Sequence, residues 1–204
     1  MGKITNIIQQ TENKFVNLFL LETIKKTGKA SKYFLASRAK NVDGLKITTG
    51  QDKADAVLIY MLYGEKRDKI VLVKQYRFPV DGWIYELPAG LVEDNEDYKT
   101  AAIREAWEET GLTFTPVEAD AGFERPYYMS VGMVDECCAT VYGYGDGQVT
   151  DKYLESGEEI EVVLADRAEA ARILKEERIS MTGAMSLMHF VNDEDPLAFV
   201  KKEL

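Results

Sequence analysis

Apolar positions along the chain alternate in some stretches and recur every third or fourth residue in others, which separates strands from helices. KFVNLFLLETIKK and KYFLASRAK, divided by a turn around Gly28, predict an antiparallel pair of strands. NVDG at 41–44 signals a turn. ADAVLIYMLYG (54–64) and DKIVLVKQYRF (68–78) predict a buried β-hairpin around EKRD, and GWIYELPAG follows it. Further strands are expected near 117–124, 136–144 and 160–164, with an acidic loop at 145–159 before the last. Helices are expected at 166–177 and 180–191. Strands with a few helices in no regular alternation give an α+β class. A first part, 1–52, reads as an N-terminal β extension ahead of the main domain, 53–204.

Between the hairpin and the later strands, residues 90–112 read GLVEDNEDYKTAAIREAWEETGL. The segment after Asp94 has the marks of a helix. Asp94 and Asn95 suit an N-cap, Glu96 and Asp97 put acids in the first turn, and Gly111 suits a left-handed C-cap. Glu105, Glu108 and Glu109, three and four residues apart, share one helical face. Ile103, Ala106, Trp107 and Thr110 fall on the opposite side, expected to face the core. Like charges at this spacing cost a few tenths of a kcal/mol per pair, roughly, and raise one another's pKa. A hard divalent cation reverses both penalties, and carboxylate oxygens suit Mg²⁺ or Mn²⁺ held against substrate phosphates. Gly90 lets the backbone turn and approach closely. Arg104 and Glu96 are expected to pair and tie the loop to the helix.

Composition narrows the partners. The chain has 204 residues and a net charge of −10. A basic surface for nucleic acid is therefore not expected, and a polyanionic substrate needs a cation or local arginines. The N-terminal stretch lacks the signature of a secretory signal, and no apolar run approaches the ~18 residues of a membrane span. Cys137 and Cys138 are neighbours and read as small apolar side chains in a strand. Free thiols without a secretion signal lead to the expectation of a cytoplasmic protein. His189, the single histidine, reads as a packing or surface residue, and the methionines around it as core filler.

The defined positions of residues 90–112 are Gly90, Glu96, Arg104, Glu105, Glu108, Glu109 and Gly111, with Ala106 and Leu112 in aliphatic slots. In this complete spacing the chain resembles the Nudix hydrolases. VLVKQYR-P (71–79), ELPAG (86–90), SVGMVDE (130–136) and ESGEEIEVV (155–163) bring it near one branch, the ADP-ribose pyrophosphatases and related nucleoside-diphosphate-sugar hydrolases. The resemblance implies an α/β/α sandwich around a mixed sheet, preceded by an N-terminal antiparallel strand layer. It implies Mg²⁺, with Mn²⁺ as an alternative, bound by Glu105, Glu108, Glu109 and the carbonyl of Ala89. Glu105 and Glu109 would be catalytic. Arg38 and Arg77 would contact the nucleotide or its diphosphate, and Glu86 and Glu136 would lie near the substrate. The acidic loop would supply a general base. Glu158 matches best by its distance to the IEVV strand, with Glu155 and Glu159 open. A homodimer through the N-terminal strands is also implied. The chain departs from the branch at Val131, where a proline is usual. GDP-mannose, another nucleotide sugar, a dinucleoside polyphosphate, or a non-catalytic nucleotide sensor are the alternative readings.

Overall fold

The computed structural model describes residues 1–154 and 156–201. The chain forms two compact units. One comprises Met1–Asp55 and Pro126–Cys138, and the other Ala56–Arg125 and Ala139–Leu204. The segment 126–138, which the sequence assigned to the main domain, thus belongs with the N-terminal residues.

In the first unit β1 (Lys3–Gln9), β2 (Asn17–Ile24) and β3 (Ala30–Ser37) form an antiparallel sheet with β2 central. The predicted pair is β2 and β3, in register from Asn17↔Ser37 to Ile24↔Ala30. Gly28 stands in the turn at a φ of +82°, a conformation that favours glycine. Phe19 and Leu21 alternate onto a small core with Leu35 and Leu45. Leu45 directly precedes the one-turn helix α1 (Lys46–Thr49). Strand β1 was not predicted. Its sequence, KITNIIQ, alternates poorly because its register slips between Ile4 and Asn6.

The second unit is a mixed sheet between helices, the α/β/α sandwich the resemblance implies. Strands β4 (Ala56–Tyr63) and β5 (Lys69–Arg77) are the predicted hairpin. β6 (Gly82–Glu86) pairs with β5, and β7 (Ala89–Leu91) with β4. With β8 (Thr113–Pro116), β10 (Cys137–Asp146) and β11 (Ile160–Ala165) the sheet order is β11-β5-β4-β10-β8. The two-residue strand β9 (Tyr127–Tyr128) belongs to the first unit, where it pairs with Cys137 and Cys138. Period-two alternation assigns the faces. Val57, Ile59, Met61 and Val71 pack with Ala101, Ala102 and Ala106 of α2 (Tyr98–Thr110). Tyr60, Leu62, Ile70 and Leu72 pack with Ala170 and Ile173 of α4 (Arg167–Glu176) and Leu187 and Phe190 of α5 (Met181–Asn192). Among the described residues no helix is long and apolar enough to cross a membrane.

Four expectations are corrected here. The strand expected at 117–124 is β8, ending at Pro116, followed by a short helix α3 (Ala121–Glu124) capped by Asp120. Pro116 has no N–H to donate, and after the Val117 amide bonds the Tyr142 carbonyl the chain turns into α3. Helix α2 begins three residues later than Asp94 and Asn95 suggested. Asn95 lies in a turn at a φ of +68°, and Asp97 is the cap, its side chain accepting from the amides of Lys99 and Thr100. No acid therefore lies in the first turn. Ile103 and Trp107 are exposed rather than buried, because the core side of α2 is lined by alanines and Thr110. Met181, Met185 and Met188 are exposed too, since α5 seats Gly183, Leu187 and Phe190 instead. His189 lies at the surface, Nδ1 2.9 Å from Asp193.

Candidate active site

The glutamates of α2 face the short strand β7 that precedes the helix. Gly90 explains why the first of them fits. A Cβ there would stand 1.8 Å from Cδ of Glu105, so the carboxylate occupies space that only glycine leaves open. Gly90 therefore serves a side chain of the chain itself, more directly than the turn expected of it. Glu109 lies deeper, 5% exposed, and its Oε2 accepts from the amide of Ala89 at 3.0 Å. Ala89 and Glu109 are thus joined through that amide.

Arg104 organises the rest. Its guanidinium donates to both carboxylate oxygens of Glu96, at 3.1 and 2.9 Å, and to the carbonyl of Leu91 at 3.0 Å. The expected pairing of Arg104 with Glu96 is present, and it fastens the loop onto the helix. Nη1 also donates to Glu105 at 2.7 Å and to Glu108 at 2.9 Å. Arg104 consequently shares the acidic face with the candidate ligands. Among the described residues no three His, Cys, Asp or Glu side chains are gathered as a ready metal cage. Arg104 Nη1 instead lies between the carboxylates of Glu105 and Glu108 and bonds to both.

The electrostatics still call for more positive charge. Burial pushes the Glu109 carboxyl up to about 8, and the charges of Glu105 and Glu158 push the same way. Glu105 is also raised, chiefly by burial, against the lowering effect of Arg104. Glu96, by contrast, is lowered by its hydrogen bond from Arg104. Hard oxygen donors held partly dry, their pKa raised by burial in Glu105 and Glu109, are the environment that a divalent cation fits.

The other expected residues stand in two pairs. Arg77 Nε donates to Glu86 at 2.6 Å in the second unit. Arg38 Nε donates to Glu136 at 2.7 Å in the first. Each arginine is thus held by the glutamate expected beside the substrate. Arg77 also lines a cleft of about 200 Å³ with Tyr76, Phe78, Gly157, Glu158 and Glu159. Of the three candidate bases, Glu158 and Glu159 line this cleft, and Glu155 lies outside the described residues. Tyr76 and Phe78 were not singled out in the sequence, because aromatics beside a buried strand carry no spacing of their own. Gly111 adopts the C-cap conformation expected of it, with a φ of +71°. Around Val131 the turn closes without proline, the Ser130 carbonyl accepting from Met133 and Val134.

A family model for the NUDIX domain matches residues 52–182. An ADP-ribose pyrophosphatase of Bacillus subtilis is 31% identical over 123 residues, covering 60% of this chain and 55% of that protein. A methanol dehydrogenase activator of Bacillus methanolicus is 29% identical over 162 residues, covering 76% and 85%. A putative nudix hydrolase of Caenorhabditis elegans is 36% identical over 104 residues, and the match spans only 45% of its length. In fold, a crystal structure of an ADP compounds hydrolase superposes with a TM-score of 0.66 at 14% identity, covering 93% of this chain and 91% of that one. With the family model covering well over half of the chain and every defined box position filled, the chain belongs to the Nudix family.

Proposed function

We propose that the chain hydrolyses the diphosphate bond of ADP-ribose or a related nucleoside diphosphate sugar with the help of a divalent cation. A nucleoside monophosphate and a sugar phosphate would result. The observation that carries this reading is the complete box, with its glutamates on α2 and Glu109 buried near Glu105 and raised in pKa. The relatives named as ADP-ribose pyrophosphatases support the substrate class.

Glu105, Glu108 and Glu109 would hold Mg²⁺ or Mn²⁺, with the Ala89 carbonyl as a further donor. Such an ion, when bound, neutralises the diphosphate and polarises the attacked phosphorus. The side chains do the remainder. Arg77, fixed by Glu86, presents a guanidinium to the diphosphate in the cleft. Arg38 and Glu136 are offered as further substrate contacts. Glu158 takes the proton of the attacking water as its oxygen bonds to phosphorus. The bridging P–O bond breaks, and the bridging oxygen leaves on the second phosphate. Gly90, Glu96, Arg104 and Gly111 act as support.

A panel of ADP-ribose, GDP-mannose, other nucleotide sugars and dinucleoside polyphosphates, assayed with Mg²⁺ and then Mn²⁺, tests the reading. Hydrolysis of ADP-ribose with release of AMP is expected. Turnover confined to another member reassigns the substrate. Tight binding of ADP-ribose without hydrolysis in either metal indicates the sensor alternative. The net charge of −10 is consistent with a partner set that excludes nucleic acid. A homodimer and a cytoplasmic location belong to the same proposal.

A further inference from the structure

The box leaves the position of Trp107 undefined, and the chemistry proposed above makes no use of that residue. Trp107 nonetheless has a specific partner. Its ring lies 4.8 Å from that of Tyr153 between centroids, with 30° between the planes. Both residues are surface-exposed, at 42% and 45%, so burial alone does not dictate two large aromatics at these positions.

Tyr153 belongs to the segment between β10 and β11 that also carries Glu158. Two further contacts join the start of this segment to the end of α2. The amide of Thr150 donates to the Thr110 carbonyl at 3.0 Å. Thr150 also rests where Gly111 lacks a side chain, since a Cβ on Gly111 would stand 2.3 Å from Thr150 Cγ2. At the far end the carbonyl of Glu159 accepts from Tyr76 at 3.2 Å, beside the cleft that Glu158 lines. The segment is therefore pinned by backbone at both ends. The ring stack is a side-chain contact between those two points, and it falls on the helix that carries Glu105, Glu108 and Glu109.

We infer that Trp107 and Tyr153 are positioning residues, whose stack holds the Glu158 segment on α2 and so sets Glu158 relative to the helix glutamates. This rests on the proposed hydrolysis, in which Glu158 receives the water's proton. Proton transfer depends steeply on position, whereas ground-state binding of the nucleotide does not pass through the stack. The contact should therefore act on kcat and leave KM nearly unchanged. It should also depend on the rings and not on the tyrosine hydroxyl, because stacking needs only the aromatic faces.

The test uses the full chain with ADP-ribose and Mg²⁺. Trp107→Ala, Tyr153→Ala and Tyr153→Phe are made, and Trp107→Ala is repeated in a Glu158→Gln background. Alanine favours a helix at least as well as tryptophan, so α2 is retained. Expected is a loss of about tenfold or more in kcat for both alanine variants, in line with the cost of misplacing a catalytic group. KM should stay within about twofold and Tyr153→Phe should match the parent, as a ring-only contact requires. In the Glu158→Gln background the further loss from Trp107→Ala should vanish, since the residue it positions is already disabled. Trypsin cleavage after Lys152 should be several-fold faster in the alanine variants and unchanged in Tyr153→Phe. Full kcat in folded Trp107→Ala overturns the inference, as does an undiminished effect of Trp107→Ala on top of Glu158→Gln. A parent chain that hydrolyses no member of the substrate panel removes the reaction reading and the positioning role with it, whereas loss of the positioning role alone leaves parental hydrolysis intact.

Discussion

Gly90 illustrates how much a single position can carry. The residue type was legible in the sequence through its spacing from Glu96 and Arg104, but its reason was not. Local sequence suggested a turn, whereas the structure reveals a carboxylate, that of Glu105, lying where a side chain would begin. Gly90→Ala should therefore displace Glu105. We expect activity to fall on the order of 10²-fold, the scale seen when a reacting group moves by an ångström. The accompanying overpacking should cost about 1–3 kcal/mol of stability, leaving a folded protein. Kinetics beside a thermal melt check this, and near-parental turnover in the variant would contradict the account of Gly90. Trp107 is the converse case. A helical wheel set it opposite the glutamates, and so in the core. The three alanines of α2 let the helix lie close to β4 and leave the large ring at the surface.

At the scale of elements, the strands with long apolar runs were legible, and so were the helices α4 and α5. β4 and β5 follow their pattern because both faces of the central sheet are buried and each residue has a fixed side. Elements that bury little gave little signal. β1 is mostly exposed, and past Pro116 the Val117 amide still meets the Tyr142 carbonyl of β10 before Asp120 caps a short helix. The start of α2 was misread by three residues because the EDNED run offers several capping residues. Asp97 has the extended backbone that lets its carboxylate meet the amides of Lys99 and Thr100. Asp97→Ala should cost about 1 kcal/mol, read as a lower denaturant midpoint with an unchanged slope. No loss would mean that Asp94 or Glu96 can replace the cap. Substitution at the start of α2 leaves Glu105 and Glu109 a turn or more away, so kcat should stay near the parental value.

For the molecule as a whole, the sequence indicated a break near residue 52 and a catalytic half beyond it. It gave no indication that 126–138 associates with the N-terminal strands, because that pairing joins residues far apart in the chain. The Ala36–Val134 bridge is one such contact. The first unit also leaves Ile4, Ile8, Leu18, Tyr33 and Phe34 exposed. Such apolar surface accords with self-association through this unit. Light scattering of the full chain should accordingly return twice the chain mass at micromolar concentration, and a monomer there would withdraw the proposed dimer. Under the proposed function, the acidic character of the molecule and its carboxylate helix would require a cation before a diphosphate could approach.

The proposed hydrolysis depends on Glu105, Glu108 and Glu109 of α2 holding a cation against the substrate's phosphates, and turnover of ADP-ribose by Glu109→Gln in Mg²⁺ tests it most directly. A folded variant with kcat reduced by at least about 10²-fold, the scale of a lost transition-state charge stabiliser, is the predicted result. Parental turnover by that variant would contradict it.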